Sequence, residues 1–483
     1  MISLQHLPWR TQLVIYTICI FFTSASYTMC VPFLPVYLLE LGAPEENIEF
    51  WSAVVFSSCF LIAGVMAPIW GKISDIKGKK SMALRSSILL CICYTSGGLV
   101  TAPIQLLGMR VLQGFANGYL PVVLSIVSEQ SPQNKLGTSL SYVQSSQLIG
   151  TVSGPLLGGT LAQFFGYRAS FLIAGACLAL VVIITFLLPN NKPKHLATSV
   201  KSTTGASTAA ASTTGASTAA DSTAGADAIT ADARTAAEGS TAAEASATAE
   251  ASTVNMVRSN ADNAPDKTTI WQDLAYCFTH RIVCELLLLF GCFSMVMLSI
   301  QPLLSLFVAE LIGGYADVAF YAGLACSLPP LIGAVSAPLW GLMGQRKGYY
   351  RVIAISLLGT GVFIALQSTA HSFTSLMILS GLMGIFIVGF TPALNAAVTI
   401  VTPANFKGRA FGAMTMTSQF GCMLGPVMAA VVSHLFAIRY QFLVSGTILL
   451  IMFTYVTYRY YQIRKSKIAA ASTALLTQGS SNN

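Results

Sequence analysis

The chain has 483 residues, 54% of them hydrophobic and only 9% charged, and its 26 Lys and Arg against 18 Asp and Glu leave a net charge of +8. A soluble domain carries about 25% charged residues, so the polar surface is too small to cover a water-soluble globule and the apolar residues must face lipid. The excess of base does not point to nucleic acid, because it sits in short clusters between apolar stretches, as membrane orientation requires.

Apolar stretches near or above the roughly 20 residues that cross a bilayer as helix predict twelve spans, at 12–40, 50–71, 82–101, 104–128, 137–164, 169–188, 282–310, 318–342, 351–370, 374–400, 409–435 and 441–462. They are rich in Gly, Ala and Ser, which let membrane helices approach closely, and the alternating pattern of a membrane barrel is absent. The expected class is an all-α membrane protein. The first stretch is long enough to span and no small-residue cleavage site ends it, so it reads as a span and not as a removable signal.

In chain order, span one carries Ser24, Ser26, Tyr27 and Thr28, with Glu40 only at its far end. After span two comes Gly71-Lys72-Ile73-Ser74-Asp75-Ile76-Lys77-Gly78-Lys79-Lys80. Gly71 permits close helix contact and Gly78 a tight turn. Asp75, at the membrane edge, requires a positive partner or a helix N-terminus. The basic residues here also serve to fix topology. Span four contains Arg110-Val111-Leu112-Gln113-Gly114. An arginine well inside an apolar span is costly, which makes Arg110 a functional candidate, with a purely structural bond to polar neighbours as the alternative. Span five contains Gly150-x-x-x-Gly154-Pro155-x-x-Gly158-Gly159, small-residue spacing for close packing with a proline that bends the helix.

From Asn190 to about residue 268 the composition changes to Ala, Ser, Thr and Gly with scattered acids, and Thr203–Ala210 recurs at Thr213–Ala220. Such a segment cannot bury enough apolar surface to offset the entropy of ordering, and it is expected to be a disordered linker. Trp271–Thr279 is then expected to form a short interfacial helix. The organisation expected is a six-helix bundle over 1–189, the linker over 190–268, a second bundle over 269–467 and a tail over 468–483. With twelve spans both termini share one face. That face collects Arg10, Lys72, Lys77, Lys79, Lys80, Arg85, Lys135, Arg346, Lys347, Arg351, Lys407, Arg409, Arg464, Lys465 and Lys467, against Arg168 and Arg439 opposite, so termini and linker are expected in the cytoplasm.

The two bundles repeat one plan. Pro32 and Pro302, Glu40 and Glu310, Ala67-Pro68 and Ala337-Pro338, Trp70-Gly71 and Trp340-Gly341, Gly78 and Gly348, and Gly114 and Gly384 all stand 270 residues apart. Gly137 and Gly408, Gly150 and Gly421, Gly154-Pro155 and Gly425-Pro426, and Arg168 and Arg439 stand 271 apart. Parallel repeats of this kind describe a carrier that rocks one half against the other around a central site. Arg110 has Ser380 as its counterpart, so the charge is not demanded by the shared scaffold. Candidate cavity groups are the polar side chains Tyr27, Asn117, Gln144, Gln147, Gln301, Asn395 and Gln419, each equally suited to a bond between helices. The Met- and Phe-rich apolar lining suits loosely specified ligands.

The Gly71–Lys80 run resembles the signature loop of the major facilitator superfamily. The resemblance implies that fold, with 12 transmembrane helices in two pseudo-symmetric six-helix bundles. It also implies that Asp75 docks at the start of span eleven and pairs with Lys79 and with Glu129 at the end of span four. The family favours Arg where Lys79 stands, which removes bidentate geometry, and Gln345 and Tyr349 replace the charges in the second copy. Arg110-x-x-x-Gly114 resembles the family's span-four motif, associated with proton coupling, and the span-five pattern resembles the motif that marks exporters. With Met29-x-x-Pro32-Phe33-Leu34-Pro35-x-Tyr37, Phe50-Trp51-Ser52 and Met82–Ser86, the chain is similar to the drug:proton antiporter branch and, within it, to bacterial MdtG-type multidrug efflux transporters. The resemblance implies export of small amphipathic compounds across the cell (plasma or inner) membrane, driven by protons, with no cofactor and no metal, by a monomer. Several drug antiporters place an acid inside span one, and this chain does not; Glu129 and Glu285 stand at span ends.

An importer or a dedicated metabolite exporter on the same fold is the alternative, since fold does not settle function. An ATP-driven pump or membrane enzyme is disfavoured, because no Gly-x-x-x-x-Gly-Lys-Ser/Thr run is present. Ten of the 11 cysteines fall in apolar spans without metal spacing, which reads as buried hydrophobes.

Overall fold

The computed structural model describes residues 8–132, 135–188, 277, 279–314, 317–402 and 407–480, without the side chains at 71, 72, 75, 76, 136, 137, 407, 408, 463, 464 and 466–480. The linker lies outside the described residues, as does most of the expected interfacial helix, of which Cys277 and Thr279 are helical.

In hydrocarbon every backbone N–H and C=O must bond within its own segment, so an apolar run of this length folds as helix. Span one comprises Trp9–Met29 and Leu34–Glu40, span two Ile48–Lys77 and span three Lys79–Gly97. Span four comprises Pro103–Ala116 and Tyr119–Gln130. Spans five and six share Leu136–Leu187, divided at Gly166, whose φ of 82° and ψ of 167° are not helical. The second half gives Arg281–Ile312, Val318–Lys347, Tyr349–Gln367, Phe373–Val401, Lys407–Leu435 and Ile438–Ser480 as spans seven to twelve. Among the described residues ten helices are long and apolar enough to cross a membrane. Dividing the longest at Gly166 and adding span three, whose Lys79, Lys80 and Arg85 make it less apolar, completes twelve.

Three boundaries differ from the sequence reading. Span one is not continuous over 12–40: Cys30–Phe33 form a turn, with Pro35 in the first turn of the helix that follows, a position where its missing N–H costs nothing. Span four is not continuous over 104–128: Asn117 is extended (φ −57°, ψ 149°) and Gly118 lies at φ 125°, a region open to glycine and strained for other residues. The last helix runs to Ser480, beyond the expected tail boundary.

The repeat is visible in the packing. A Cβ added at Gly114 would lie 2.6 Å from the Cys59 carbonyl oxygen, and one at Gly384 2.4 Å from that of Pro329. At Gly150 and Gly421 the obstructing carbonyls are those of Phe21 and Gly291, at 2.6 and 2.1 Å, and at Gly154 and Gly425 those of Ala25 and Met295, at 2.6 and 2.4 Å. Each obstructing pair is itself 270 residues apart. The turn glycines Gly78 and Gly348 match to within a few degrees, at φ 89° and ψ 143° against φ 87° and ψ 145°. Only small residues allow backbones this close, so the repeated glycines carry the shared scaffold. Each half has its own large apolar core, the first around Tyr16, Phe33, Tyr37 and Phe171, the second around Phe293, Phe307, Phe390 and Phe442.

The halves meet chiefly where span two packs on span eleven and span five on span eight. Ser57 Oγ donates to the Met423 carbonyl at 2.7 Å, and Gln163 Nε2 to Asp317 Oδ1 at 2.9 Å. A Cβ at Gly323 would lie 2.4 Å from the Pro155 carbonyl, and one at Gly159 2.3 Å from that of Ala319. Val36 joins Ala309, Val318 and Ala322 in a small apolar cluster across the halves. These contacts lie toward the face opposite the termini. There the ten residues Met29–Leu38 are all buried, and the contacts of Val36, Gly159, Gln163 and Gly323 close the halves on each other at that end.

Candidate functional site

Arg110 sits on the first segment of span four, 4% exposed. Its Nη1 donates to Gln113 Oε1 at 2.8 Å, one helical turn on. Gln113 Nε2 donates to the Tyr94 hydroxyl at 2.8 Å, and that hydroxyl donates to the Tyr27 carbonyl at 3.2 Å. The guanidinium carbon is 5.5 Å from the Phe56 ring centre. Phe56 adjoins Ser57, which bonds across the halves, so Arg110 lies one ring away from a contact between them. Its Nε is buried without a hydrogen-bond partner. The ion pairs among the described residues join Lys79 to Glu129, Glu285 to Arg281 and Arg459, and Glu310 to Arg439; none reaches Arg110. Gly114 brings span four onto span two, its added Cβ meeting Cys59 and Ile62.

The break in span four follows one turn later. Helix ends leave carbonyls without partners, and in lipid they must be satisfied. Arg85 Nη1 donates to the Phe115 carbonyl at 3.3 Å and Nη2 to that of Asn117 at 3.4 Å, while Ser86 Oγ donates to that of Ala116. The Arg85 guanidinium also stacks 3.6 Å from the Trp70 ring centre, a cation–π contact. Asn117 Oδ1 accepts from the Gly118 N–H at 2.9 Å. Asn117, an exposed side chain, thus bonds locally at the break through Oδ1.

At the loop between spans two and three, Lys79 pairs with Glu129. Gly78 makes the turn. The side chains at Gly71 and Asp75 lie outside the described residues; Gly341, the repeat partner of Gly71, has nothing within 4 Å of an added Cβ. Lys80 Nζ donates to the Phe186 carbonyl at 3.0 Å and to that of Leu188, capping span six.

The span-five glycines do two jobs. Gly150, Gly154 and Gly158 lie on the backbone of span one at Phe21, Ala25 and Met29, whereas Gly159 and Pro155 meet span eight of the other half. Of the remaining cavity candidates, Gln144 is exposed and Tyr27, Gln147, Gln301, Asn395 and Gln419 are half-buried. Gln419 faces span two, its Cβ 3.3 Å from one added at Gly64. Tyr27 enters the Arg110 chain through its carbonyl. Glu285 is held by Arg281 at 3.1 Å and Arg459 at 2.9 Å.

Sequence reasoning missed Tyr94 and the role of Arg85, counted there as a topology determinant. The repeat held the signal: Arg85 corresponds to Ile355 and Tyr94 to Ile364, mismatches of the kind that singled out Arg110.

Two bundles of six helices, built on one repeated plan and meeting where span two packs on span eleven and span five on span eight, define a multi-pass membrane transporter, not an enzyme. The sequence profile of the Major Facilitator Superfamily matches residues 16–321 and 286–477, and the chain belongs to that family. It is 28% identical over 464 residues to the multi-drug resistance efflux pump PmrA homolog of Lactococcus lactis, covering 95% of this chain and 97% of that protein. It is 27% identical over 458 residues to the multidrug resistance protein MdtG of Proteus mirabilis, covering 93% and 96%. Among solved structures, the nucleoside transporter NupG is similar with a TM-score of 0.64 at 15% identity, over 94% of this chain and 99% of that one.

Proposed function

We propose that the protein exports small amphipathic compounds from the cytoplasm by alternating access, using the proton gradient as its energy source and no cofactor. It works as a monomer with both termini in the cytoplasm, placed there by the bias of Lys and Arg toward that face. The observation that carries this reading is the seating of span five. Its glycines press on span one of their own half and on span eight of the other, which joins the two bundles at a narrow line about which they rock. The cleft, sealed on the outer face, then receives substrate from the cytoplasm. The relative named as a multi-drug resistance efflux pump supports the direction of transport, and it and the relative named as a multidrug resistance protein support the breadth of substrate. Arg110 is the charged group whose surroundings change as the halves part, because the Phe56 ring beside it adjoins Ser57, which bonds to the other half.

A fluorescent amphipathic dye tests the proposal. Energised cells making the protein should retain less dye than cells lacking it, and a proton uncoupler should remove the difference. Export that survives the uncoupler defeats proton coupling; retention above the control defeats export.

A further inference from the structure

The chain places no carboxylate deep inside a span. Nine of its 18 acids fall within 190–276, and the other nine stand in turns or at span ends. The deepest of these, Glu285, lies four residues into span seven, held by two arginines. Arg110, by contrast, lies seven residues inside span four and is 4% exposed. A buried charge persists only when it is paired or well hydrogen-bonded. Among the described residues only Nη1 of Arg110 is hydrogen-bonded, and Nε is buried without a partner. The free Nε–Nη2 edge is the one that takes a carboxylate in two-pronged fashion. The guanidinium is also oriented in advance, because Gln113 and Tyr94 hold it through 2.8 Å hydrogen bonds. Arg85, a second cation inside a span of that half, is occupied by two carbonyls and the Trp70 ring.

We infer that Arg110 is an anion-recognising group and that the favoured substrates are amphipathic monoanions, whose carboxylate docks on its Nε–Nη2 edge while their apolar body lies along the Phe56 side of the cleft. The inference rests on the export reading for its direction but concerns binding, which does not depend on direction. Such a substrate brings the counter-charge and the titratable oxygen that the span interiors lack. A lipophilic cation, in contrast, meets a like charge with no acid to offset it.

The test uses the full-length protein in lipid nanodiscs and a set of probes with one apolar body: dansyl-6-aminohexanoate, its primary amide, and dansylcadaverine. Dansyl fluorescence gives each Kd. The carboxylate should bind about tenfold or more tighter than the amide, the difference made by hydrogen bonds to a charged partner, and the amine should bind weakest. Arg110→Gln should remove the preference, so that carboxylate and amide bind alike, with size-exclusion elution and thermal melting showing that the variant is folded. If Arg110→Gln binds none of the probes, Arg110→Lys decides, since a lysine that does not prefer the carboxylate over the amide overturns the inference. Equal binding of all probes by the natural protein, tighter binding of the amine, or a preference that persists in Arg110→Gln overturns it as well. Carboxylate preference without dye export defeats the export reading alone; dye export without the preference defeats this inference alone.

Discussion

Spans four and ten occupy the same place in the two halves, yet one is broken and charged while the other is whole and neutral. At positions 387 and 388 span ten has Ile and Val where span four has Asn117 and Gly118, and its helix Phe373–Val401 continues through them. Ile355 replaces Arg85 and Ser380 replaces Arg110. The consequence shows in the serines that remain common to both. Ser86 donates to the Ala116 carbonyl freed by the break, whereas Ser356 in the unbroken half has no partner. The tryptophans divide the other way: Trp340 Nε1 donates to the Ile385 carbonyl at 2.6 Å, while Trp70 serves as the platform for Arg85 and its Nε1 is unpartnered. One scaffold thus supports a rigid copy and a specialised one. The specialisation resides in a few side chains that free backbone carbonyls and then satisfy them.

Arg110→Ala against Ser380→Ala should break the comparison most visibly. Removing Arg110 is expected to reduce dye export to background with membrane insertion intact, while Ser380→Ala stays within about twofold, because it alters one weak bond from Gln367 at 3.3 Å. Gly118→Val gives span four the residue of span ten at a φ of 125°. A β-branched residue there is strained by about 2 kcal/mol, so thermal unfolding in detergent should shift down by several degrees and export should fall. Arg85→Met should cost about 1–3 kcal/mol through lost carbonyl bonds and lost stacking on Trp70, against less than about 1.5 kcal/mol for Ile355→Met, read by the same melting experiment. Gly114→Ala and Gly384→Ala sharpen the other side. Both added methyls meet a carbonyl, at 2.6 and 2.4 Å, and each should destabilise by about 1–3 kcal/mol. The expected difference between these two is the smallest of the set, and a large one would show that the shared scaffold is not mechanically shared.

The sequence made the scaffold legible because glycine and proline mark positions where backbones touch or turn. The matched spacing of Gly114 with Gly384 and of Gly150 with Gly421 reappears as matched carbonyl contacts. Arg110 was legible because a charge in an apolar run is expensive, but its partners were not. Gln113 follows from helical spacing, whereas Tyr94 lies on another span and only packing brings its hydroxyl within reach. The break at Asn117–Gly118 was written in a turn-forming dipeptide, yet the apolar run around it reads as one span, because hydropathy measures residence in lipid and not continuity of helix. The loop at Cys30–Phe33 escaped for the same reason.

The backbone contacts between the halves bear on what the carrier does when it has no cargo. A channel conducts through a water-filled gap, and where Gly159 meets Ala319 and Gly323 meets Pro155 an added Cβ would lie 2.3 and 2.4 Å from a carbonyl oxygen, so no water fits along that line. The closed face is therefore expected to insulate the two sides of the membrane, and a cell that makes the protein to keep its ion gradients while no substrate is bound.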